Sequence, residues 1–239
     1  MIQSSRARRT ALDAGNVQIM QLEPLATKIY KLAYALISPV ILVGICALVQ
    51  VLAGRVIGVW AWVPTMFCFW AVIALLTRNF SGFSVARNRF RHATGSFVWP
   101  ALAVLAGLLS LHGFIRHWTL LSTPSVIVAW VGFALINPWF EESYWRGLLM
   151  DATASWGRLR SQLYSSAWFA VSHPLIWGIH SLPLRKAEAV GALFFVGLLW
   201  GITYQRTGSL RWCVVGHMLA NLFGLAALVL LNIHDPTVR

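Results

Sequence analysis

The chain has 239 residues, of which 58% are hydrophobic and only 11% charged, and its formal net charge is +12. A soluble globular protein carries about 25% charged residues, so the composition excludes that class and predicts an all-α polytopic membrane protein. The basic residues are spread over the segments between apolar runs instead of forming one face, which excludes a nucleic-acid partner.

Reading along the chain, the first 28 residues are polar and form a predicted cytoplasmic tail, residues 1–28. Residues 29–120 follow as N-terminal transmembrane helices, and residues 121–239 form a core that carries the chemistry. Apolar runs of about 20 residues mark membrane spans. They predict about seven transmembrane helices, at 29–53, 56–77, 97–115, 122–142, 161–180, 188–205 and 212–232.

The distribution of basic residues predicts the orientation in the membrane. With the N-terminus inside, the inner segments hold thirteen Lys and Arg residues and the outer segments five. The outer five are Arg55, Arg116, Arg185, Lys186 and Arg239, and Lys31 lies inside the first span. Because cytoplasmic loops retain positive charge, we expect the N-terminus inside and, after seven spans, the C-terminus outside.

Two further segments bear on the fold. Trp145, Leu148 and Ala152 recur at helical spacing, so the fourth span is expected to continue as a helix through residues 143–160. The three cysteines, Cys46, Cys68 and Cys213, lie in apolar runs without a CxxC pair. They are expected to be packing residues, not metal ligands or disulfide partners.

Glu141 and Glu142 are the most informative residues, because a carboxylate at membrane depth is costly and marks a functional site. Neighbours on a helix point about 100° apart, so the two acids need different partners. Arg146 lies four residues after Glu142 and is placed to pair with it. Glu141 is then the free acid and a candidate general base. The alternative is that both acids merely pair with loop arginines at the interface.

Two other predicted spans also offer polar groups. Phe169 and His173 lie four residues apart, with Pro174 next, which is expected to kink the helix. His217 and Asn221 are also four apart and share a face. A lone histidine in a span often only bonds a neighbouring helix, and this reading stays open for both. Between them, Gly197 and Gly201 are interpreted as a site of close helix packing.

In chain order these residues form the patterns EExxxR, FxxxH, FxxxGxxxG and HxxxN. Their order and spacing over roughly residues 125–232 resemble the CAAX protease and bacteriocin-processing family of intramembrane endopeptidases, also called the Abi family. The resemblance implies that Glu141 and His173 activate water and that His217 and Asn221 steady the oxyanion. It implies supporting roles for Glu142, Arg146 and Phe169. All would lie inside the bundle of helices four to seven.

The resemblance implies hydrolysis of a peptide bond in a membrane-associated peptide or protein substrate, which can carry a lipid, as in CAAX processing or bacterial C-terminal processing. No cofactor is favoured. A zinc-dependent version, with Glu141, His173 and His217 as ligands, is the alternative. A non-catalytic bacteriocin-immunity or scaffold protein is another, and a small transporter is disfavoured because no internal repeat is evident. The expected location is the bacterial cytoplasmic membrane.

Overall fold

The structure is a computed structural model that describes residues 25–91 and 93–233, without the side chains of residues 83–86. Within these residues the chain is helical and contains no β-strand, so the predicted all-α class is confirmed. The helices are α1 (Leu25–Ile57), α2 (Trp62–Asn88), α3 (Val98–Leu108), α4 (Leu111–His117), α5 (Pro124–Glu142), a π-helix (Ser143–Leu149), α6 (Met150–Ala152), α7 (Arg158–Ile176), α8 (Ala187–Thr207), α9 (Arg211–Phe223) and α10 (Ala226–Leu230). Short 3₁₀ turns lie at Gly58–Ala61, Trp118–Leu120, Ala154–Trp156, Trp177–Ile179 and Pro183–Arg185.

Three helical segments of the described chain are long and apolar enough to cross a membrane: Leu25–Gly82, Val98–Leu120 and Ala187–Thr207. The first is a hairpin of α1 and α2. The hydroxyl groups of Tyr30 and Tyr34 on α1 donate hydrogen bonds to the carbonyl oxygens of Asn79 and Leu76 on α2, at 3.3 and 2.7 Å. Because the start of α1 contacts the end of α2, the two helices are antiparallel.

Large apolar side chains cover the outside of the bundle. Leu48 on α1 is 58% exposed, Phe67 on α2 is 59% exposed and Phe195 on α8 is 69% exposed. An apolar surface of this extent would be unfavourable in water and is compatible with contact to lipid. The apolar helices are therefore those of an integral membrane protein.

The helix ends differ in places from the predicted spans. Residues 1–24 of the predicted N-terminal tail and residues 234–239 at the C-terminus lie outside the described residues, and α1 already begins at Leu25. The predicted span 97–115 is divided into α3 and α4. The prediction of a continuous helix over 212–232 was wrong, because α9 ends at Phe223 and Leu225 has a φ of 51°. A left-handed residue cannot continue a right-handed helix.

The predicted helix over residues 143–160 is confirmed as far as Ala152, because α5 runs directly into the π-helix and α6. Beyond that point the prediction was wrong. A 3₁₀ turn at Ala154–Trp156 and Gly157, with a φ of 87°, separate this extension from α7. Glycine adopts such a conformation without the steric cost that a Cβ would add.

Glycines allow the closest helix contacts. A Cβ on Gly197 would lie 3.1 Å from both Arg146 and Phe169, and one on Gly201 would lie 3.2 Å from Gln162, so the close packing predicted for this pair is confirmed. On the other side, Gly107 of α3 faces the backbone of Gly216 on α9, and Gly216 faces the backbone of Ala103 on α3. A Cβ on Gly216 would collide with the Ala103 carbonyl oxygen. Cys46, Cys68 and Cys213 are free thiols, and the first and last are buried.

Replacement of Gly216 by alanine should therefore destabilise the protein, because the added Cβ meets backbone atoms of α3 that cannot rotate away. Overpacking of this kind costs about 1–3 kcal/mol. Thermal unfolding in detergent should show a lower Tm for Gly216→Ala. The control is Gly44→Ala on α1, where a Cβ meets no described atom within 4 Å. Equal Tm values for the two variants would contradict the packing.

Candidate active site

Glu141 and Glu142 end α5, where the chain changes from an α-helix to a π-helix. Pro138 lies inside α5, one turn before the acids, and cannot donate a backbone hydrogen bond. π-Helical turns occur preferentially at functional sites. Both carboxylates are buried, with Glu141 1% exposed and Glu142 0% exposed. Buried charges of this kind need hydrogen-bonding partners.

Glu142 has two strong partners. The Arg146 Nη1 group donates to its Oε1 at 3.0 Å, which confirms the predicted ion pair. The Nδ1 of His217 lies 2.8 Å from the same oxygen. Because a carboxylate oxygen accepts, Nδ1 is the protonated nitrogen in this contact. Glu142 thus links the π-helix to α9.

Arg146 is 0% exposed and is packed between aromatic rings. Its guanidinium carbon lies 4.2 Å from the centroid of Phe169 and 5.5 Å from that of Trp200. Such cation–π contacts offset part of the cost of burying the charge. The Trp200 ring also stacks on His217, with centroids 4.6 Å apart. Phe169 therefore supports the ion pair, and Trp200 holds the imidazole in place.

Glu141 has a different environment. Its Oε1 accepts a hydrogen bond from the Asn137 Nδ2 group at 2.9 Å. Its Oε2 is buried and makes no hydrogen bond within the described part of the chain. The nearest cationic candidate is His217, whose Nε2 lies 3.8 Å from Oε2, which is longer than a hydrogen bond. One oxygen of Glu141 is thus fixed, and the other is available to a reactant.

His173 on α7 is oriented by its own helix. Its Nδ1 lies 2.7 Å from the carbonyl oxygen of Phe169, and the two rings meet edge to face at 4.8 Å. A carbonyl oxygen can only accept, so Nδ1 carries the proton. In the neutral imidazole, Nε2 is then the acceptor. Pro174, predicted to kink the helix, lies inside α7, which continues only to Ile176.

A cavity of about 260 Å³ brings the predicted catalytic residues together. Glu141, His173, His217 and Asn221 all line it, as does Asn137. The Nδ2 group of Asn221 is buried and lacks a hydrogen-bond partner among the described residues. The rest of the wall is mostly apolar. It includes Phe133, Trp177, Leu193 and Leu230. Three predicted supporting residues, Glu142, Arg146 and Phe169, differ in position, since only Phe169 reaches the cavity.

The zinc alternative can be tested against the donor groups. No three His, Cys, Asp or Glu side chains in the described ranges are arranged to hold a metal ion. His217 uses Nδ1 for Glu142, and its Nε2 lies 3.8 Å from Glu141. Zinc binds its ligands at about 2.0–2.2 Å from nitrogen or oxygen. Two ligands of one zinc ion lie farther from each other than either lies from the metal, so the zinc-dependent version with Glu141, His173 and His217 stays the alternative to metal-free hydrolysis.

The sequence interpretation missed three residues of the site. Asn137 lies four residues before Glu141, and this i,i+4 spacing of two polar residues in an apolar run could have indicated it. Trp70 donates its indole N–H to Asn137 at 2.9 Å, and Trp200 stacks on His217. Both contacts join residues on different helices and depend on how those helices pack, so no local pattern could have indicated them.

Comparison with known proteins bears on the same residues. Residues 123–223 match the family model of the type II CAAX prenyl endopeptidase Rce1-like proteins. Neither a search of curated proteins nor a search of solved structures gives a match.

The matched region contains α5, the π-helix, α7, α8 and α9, which supply Glu141, Glu142, Arg146, His173, His217 and Asn221. The chain is thus a helical integral membrane protein that encloses a cavity lined by buried polar groups. The match over residues 123–223 supports the resemblance to the CAAX protease family that the four motifs predicted, and the matched family is a protease family.

The buried ion pair yields a prediction about stability. Glu142→Gln leaves Arg146 and His217 without their carboxylate, and breaking a buried pair costs about 3–5 kcal/mol. Thermal unfolding should show a large fall in Tm. Glu188→Gln is the matched control, because Glu188 lies exposed in the first turn of α8. A Glu142→Gln protein as stable as this control would show that the pair does not hold the site together.

Proposed function

We propose that the chain is an intramembrane endopeptidase in which Glu141 and His173 activate water. The observation that carries the proposal is the state of Glu141. Its Oε2 is buried and makes no hydrogen bond to any described group, yet the residue lines the same cavity as His173, His217 and Asn221. A carboxylate held in this way fits a general base. The match of residues 123–223 to the model of a protease family supports the same reaction.

The proposed reaction begins with a water between Glu141 and His173. Glu141 Oε2 takes a proton from this water, and the neutral Nε2 of His173 accepts its second hydrogen bond. The water oxygen attacks the peptide carbonyl carbon, and the carbonyl oxygen becomes an oxyanion. Collapse of the tetrahedral intermediate breaks the C–N bond, and the proton on Glu141 passes to the leaving amine. Peptide hydrolysis needs no further reactant.

Asn221 and His217 are proposed to stabilise the oxyanion. The Asn221 Nδ2 group is a buried donor that no described side chain or backbone group uses. Donors fixed before the reaction stabilise developing charge, and losing one costs about 10²–10³ in rate. In its protonated form His217 donates from Nε2, because Nδ1 is already bonded to Glu142. Glu142 would then orient His217 and take no part in proton transfer.

We favour metal-free hydrolysis over the zinc-dependent version, because no group of three His, Cys, Asp or Glu side chains among the described residues is arranged to hold a metal ion. A non-catalytic immunity or scaffold protein is the second candidate from another class. A protein that only binds a partner would need a pocket, but it would not need a carboxylate oxygen or an amide donor that makes no hydrogen bond to the protein. This cavity is lined by one of each, on Glu141 and Asn221.

The proposed substrate is a peptide segment presented at the membrane, which can carry a lipid, and the bilayer is the other partner. The matched family is named for cleaving prenylated CAAX proteins, so a farnesylated CAAX peptide is the first probe to test. The proposed topology has seven spans in the bacterial cytoplasmic membrane, with the N-terminus inside. The basic residues of the inner segments support it.

Glu141→Gln should abolish cleavage of a farnesylated CAAX peptide in phospholipid vesicles, while the protein still inserts and folds. Loss of a general base lowers the rate by about 10²–10⁴. The glutamine keeps the shape and can still accept a hydrogen bond from Asn137, so stability should change little. Peptide products are measured by chromatography.

Two controls accompany this experiment. Glu188→Gln changes the same residue type on the exposed start of α8 and should cleave like wild type. Wild-type protein treated with a strong chelator should also retain its activity, whereas loss of activity that zinc restores would support the metal alternative. Cleavage by Glu141→Gln at the wild-type rate would exclude Glu141 as the base.

The proposed topology predicts which side of the membrane each loop faces. Cys46, Cys68 and Cys213 are first replaced, and single cysteines are then placed at Ser155 and Ala187, which are both exposed. An impermeant thiol reagent should label Ser155→Cys only from inside and Ala187→Cys only from outside. The reverse labelling pattern would show that the topology is inverted and that the loop containing Ser155 lies on the outer face.

A further inference from the structure

Trp70 connects the N-terminal hairpin to the candidate base through a chain of two hydrogen bonds. The Nε1–H group of Trp70 on α2 donates to Asn137 Oδ1 at 2.9 Å. The Nδ2 group of Asn137 donates to Glu141 Oε1 at 2.9 Å. All three residues are buried, with exposures of 9%, 1% and 1%. Trp70 lies outside residues 123–223, the part of the chain that the family model matches.

The chemistry of the indole group fixes the direction of this chain. An indole N–H can only donate, whereas an asparagine amide has one accepting and one donating end. Trp70 therefore selects the orientation in which the amide oxygen faces α2 and the NH₂ group faces Glu141. Without it, the amide could turn and place its oxygen against the carboxylate, which would be repulsive.

This orientation decides which carboxylate oxygen is engaged. Oε1 of Glu141 is held by Asn137, and Oε2 is the oxygen that forms no hydrogen bond to the described residues. Oε2 is also the oxygen near His217 Nε2, at 3.8 Å. The carboxylate is thus fixed in rotation by a contact on its far side, with one oxygen available for water.

The Trp70 ring is itself held in place by aromatic packing. It stacks on Phe140 with centroids 5.4 Å apart and planes inclined by 12°, and it meets Phe67 edge to face at 5.5 Å. Phe140 immediately precedes Glu141 in the chain. A phenylalanine at position 70 can keep the stacking while it removes the N–H group, which separates the two contributions.

We propose that Trp70 is a positioning residue for peptide hydrolysis, which sets the Asn137 amide so that Glu141 presents Oε2 to the substrate water. The inference rests on the proposed function of Glu141. It gives α2 a part in the site and predicts that a change on α2 alters the chemical step.

The first test compares Trp70→Phe with Trp62→Phe. Trp62 is on the same helix, is 1% exposed, and its Nε1 makes no hydrogen bond to the described residues. The two changes are therefore chemically identical, but only the first removes a hydrogen bond. Trp70→Phe should lower kcat for the farnesylated CAAX peptide about tenfold with KM unchanged, since misplaced catalytic groups cost up to about 10² in rate. Trp62→Phe should leave kcat near wild type. Equal kcat values for both variants would overturn the inference.

The second test asks whether Trp70 acts through Asn137. Asn137→Leu removes both hydrogen bonds at similar volume, and the double variant Trp70→Phe with Asn137→Leu completes the cycle. Residues that act as one unit are not additive. The double variant should therefore be no slower than Asn137→Leu alone. If the two losses multiply, Trp70 acts by another route and the inference fails.

A spectroscopic measurement separates this inference from the proposed function. The Glu141 carboxylate band in the infrared is identified by its loss in Glu141→Gln. This band should shift in Trp70→Phe and in Asn137→Leu, and it should stay unchanged in Trp62→Phe. The shift requires no substrate. If Glu141→Gln still cleaves, the proposed function fails whatever the band does. If Glu141→Gln is inactive and the band does not move in Trp70→Phe, only the positioning role fails.

Discussion

Two adjacent carboxylates are buried inside an apolar helical bundle, and most polar contacts near them compensate for that burial. Desolvation of a charge costs several kcal/mol unless hydrogen bonds replace the lost water. Because neighbours on a helix diverge by about 100°, one set of partners cannot serve both acids. Glu142 faces Arg146 and His217, whereas Glu141 faces the neutral Asn137 amide. The two acids therefore lie in different environments, which supports the different roles proposed for them.

The ion pair of Glu142 in turn depends on close helix packing. Arg146 lies against Phe169, and a Cβ at position 197 would lie only 3.1 Å from each of these side chains, closer than an ordinary contact. On the opposite side, Gly216 lets α9 pack closely against α3, and the next residue on α9, His217, contacts Glu142. Glycines in the interior of a helix reduce its intrinsic stability. Here they allow helix contacts that larger residues would prevent.

The sequence predicted the all-helical class and four polar residues that line the cavity, Glu141, His173, His217 and Asn221, because both predictions depend on local spacing. Apolar runs indicate helices, and polar pairs four residues apart, such as His217 and Asn221, share a helix face whatever the tertiary structure. The break after Phe223 was not predicted, since apolar residues continue on both sides of it. The Trp70–Asn137 bond spans 67 positions, and such contacts depend on how the helices pack.

The N-terminal hairpin carries no family motif, yet its polar contacts run toward the helices of the site. Ser38 on α1 shares a hydrogen bond with Tyr144 of the π-helix at 2.9 Å. Arg89, just after α2, forms an ion pair with Asp151 on α6 at 2.7 Å. Both contacts hold the segment that directly follows Glu141 and Glu142, and Trp70 contacts the turn that precedes them. Helices in lipid gain little from apolar contact with each other, so interhelical hydrogen bonds and close packing determine their positions. The N-terminal hairpin therefore holds the chain on both sides of the two acids, through Asn137 before them and through Tyr144 and Asp151 after them.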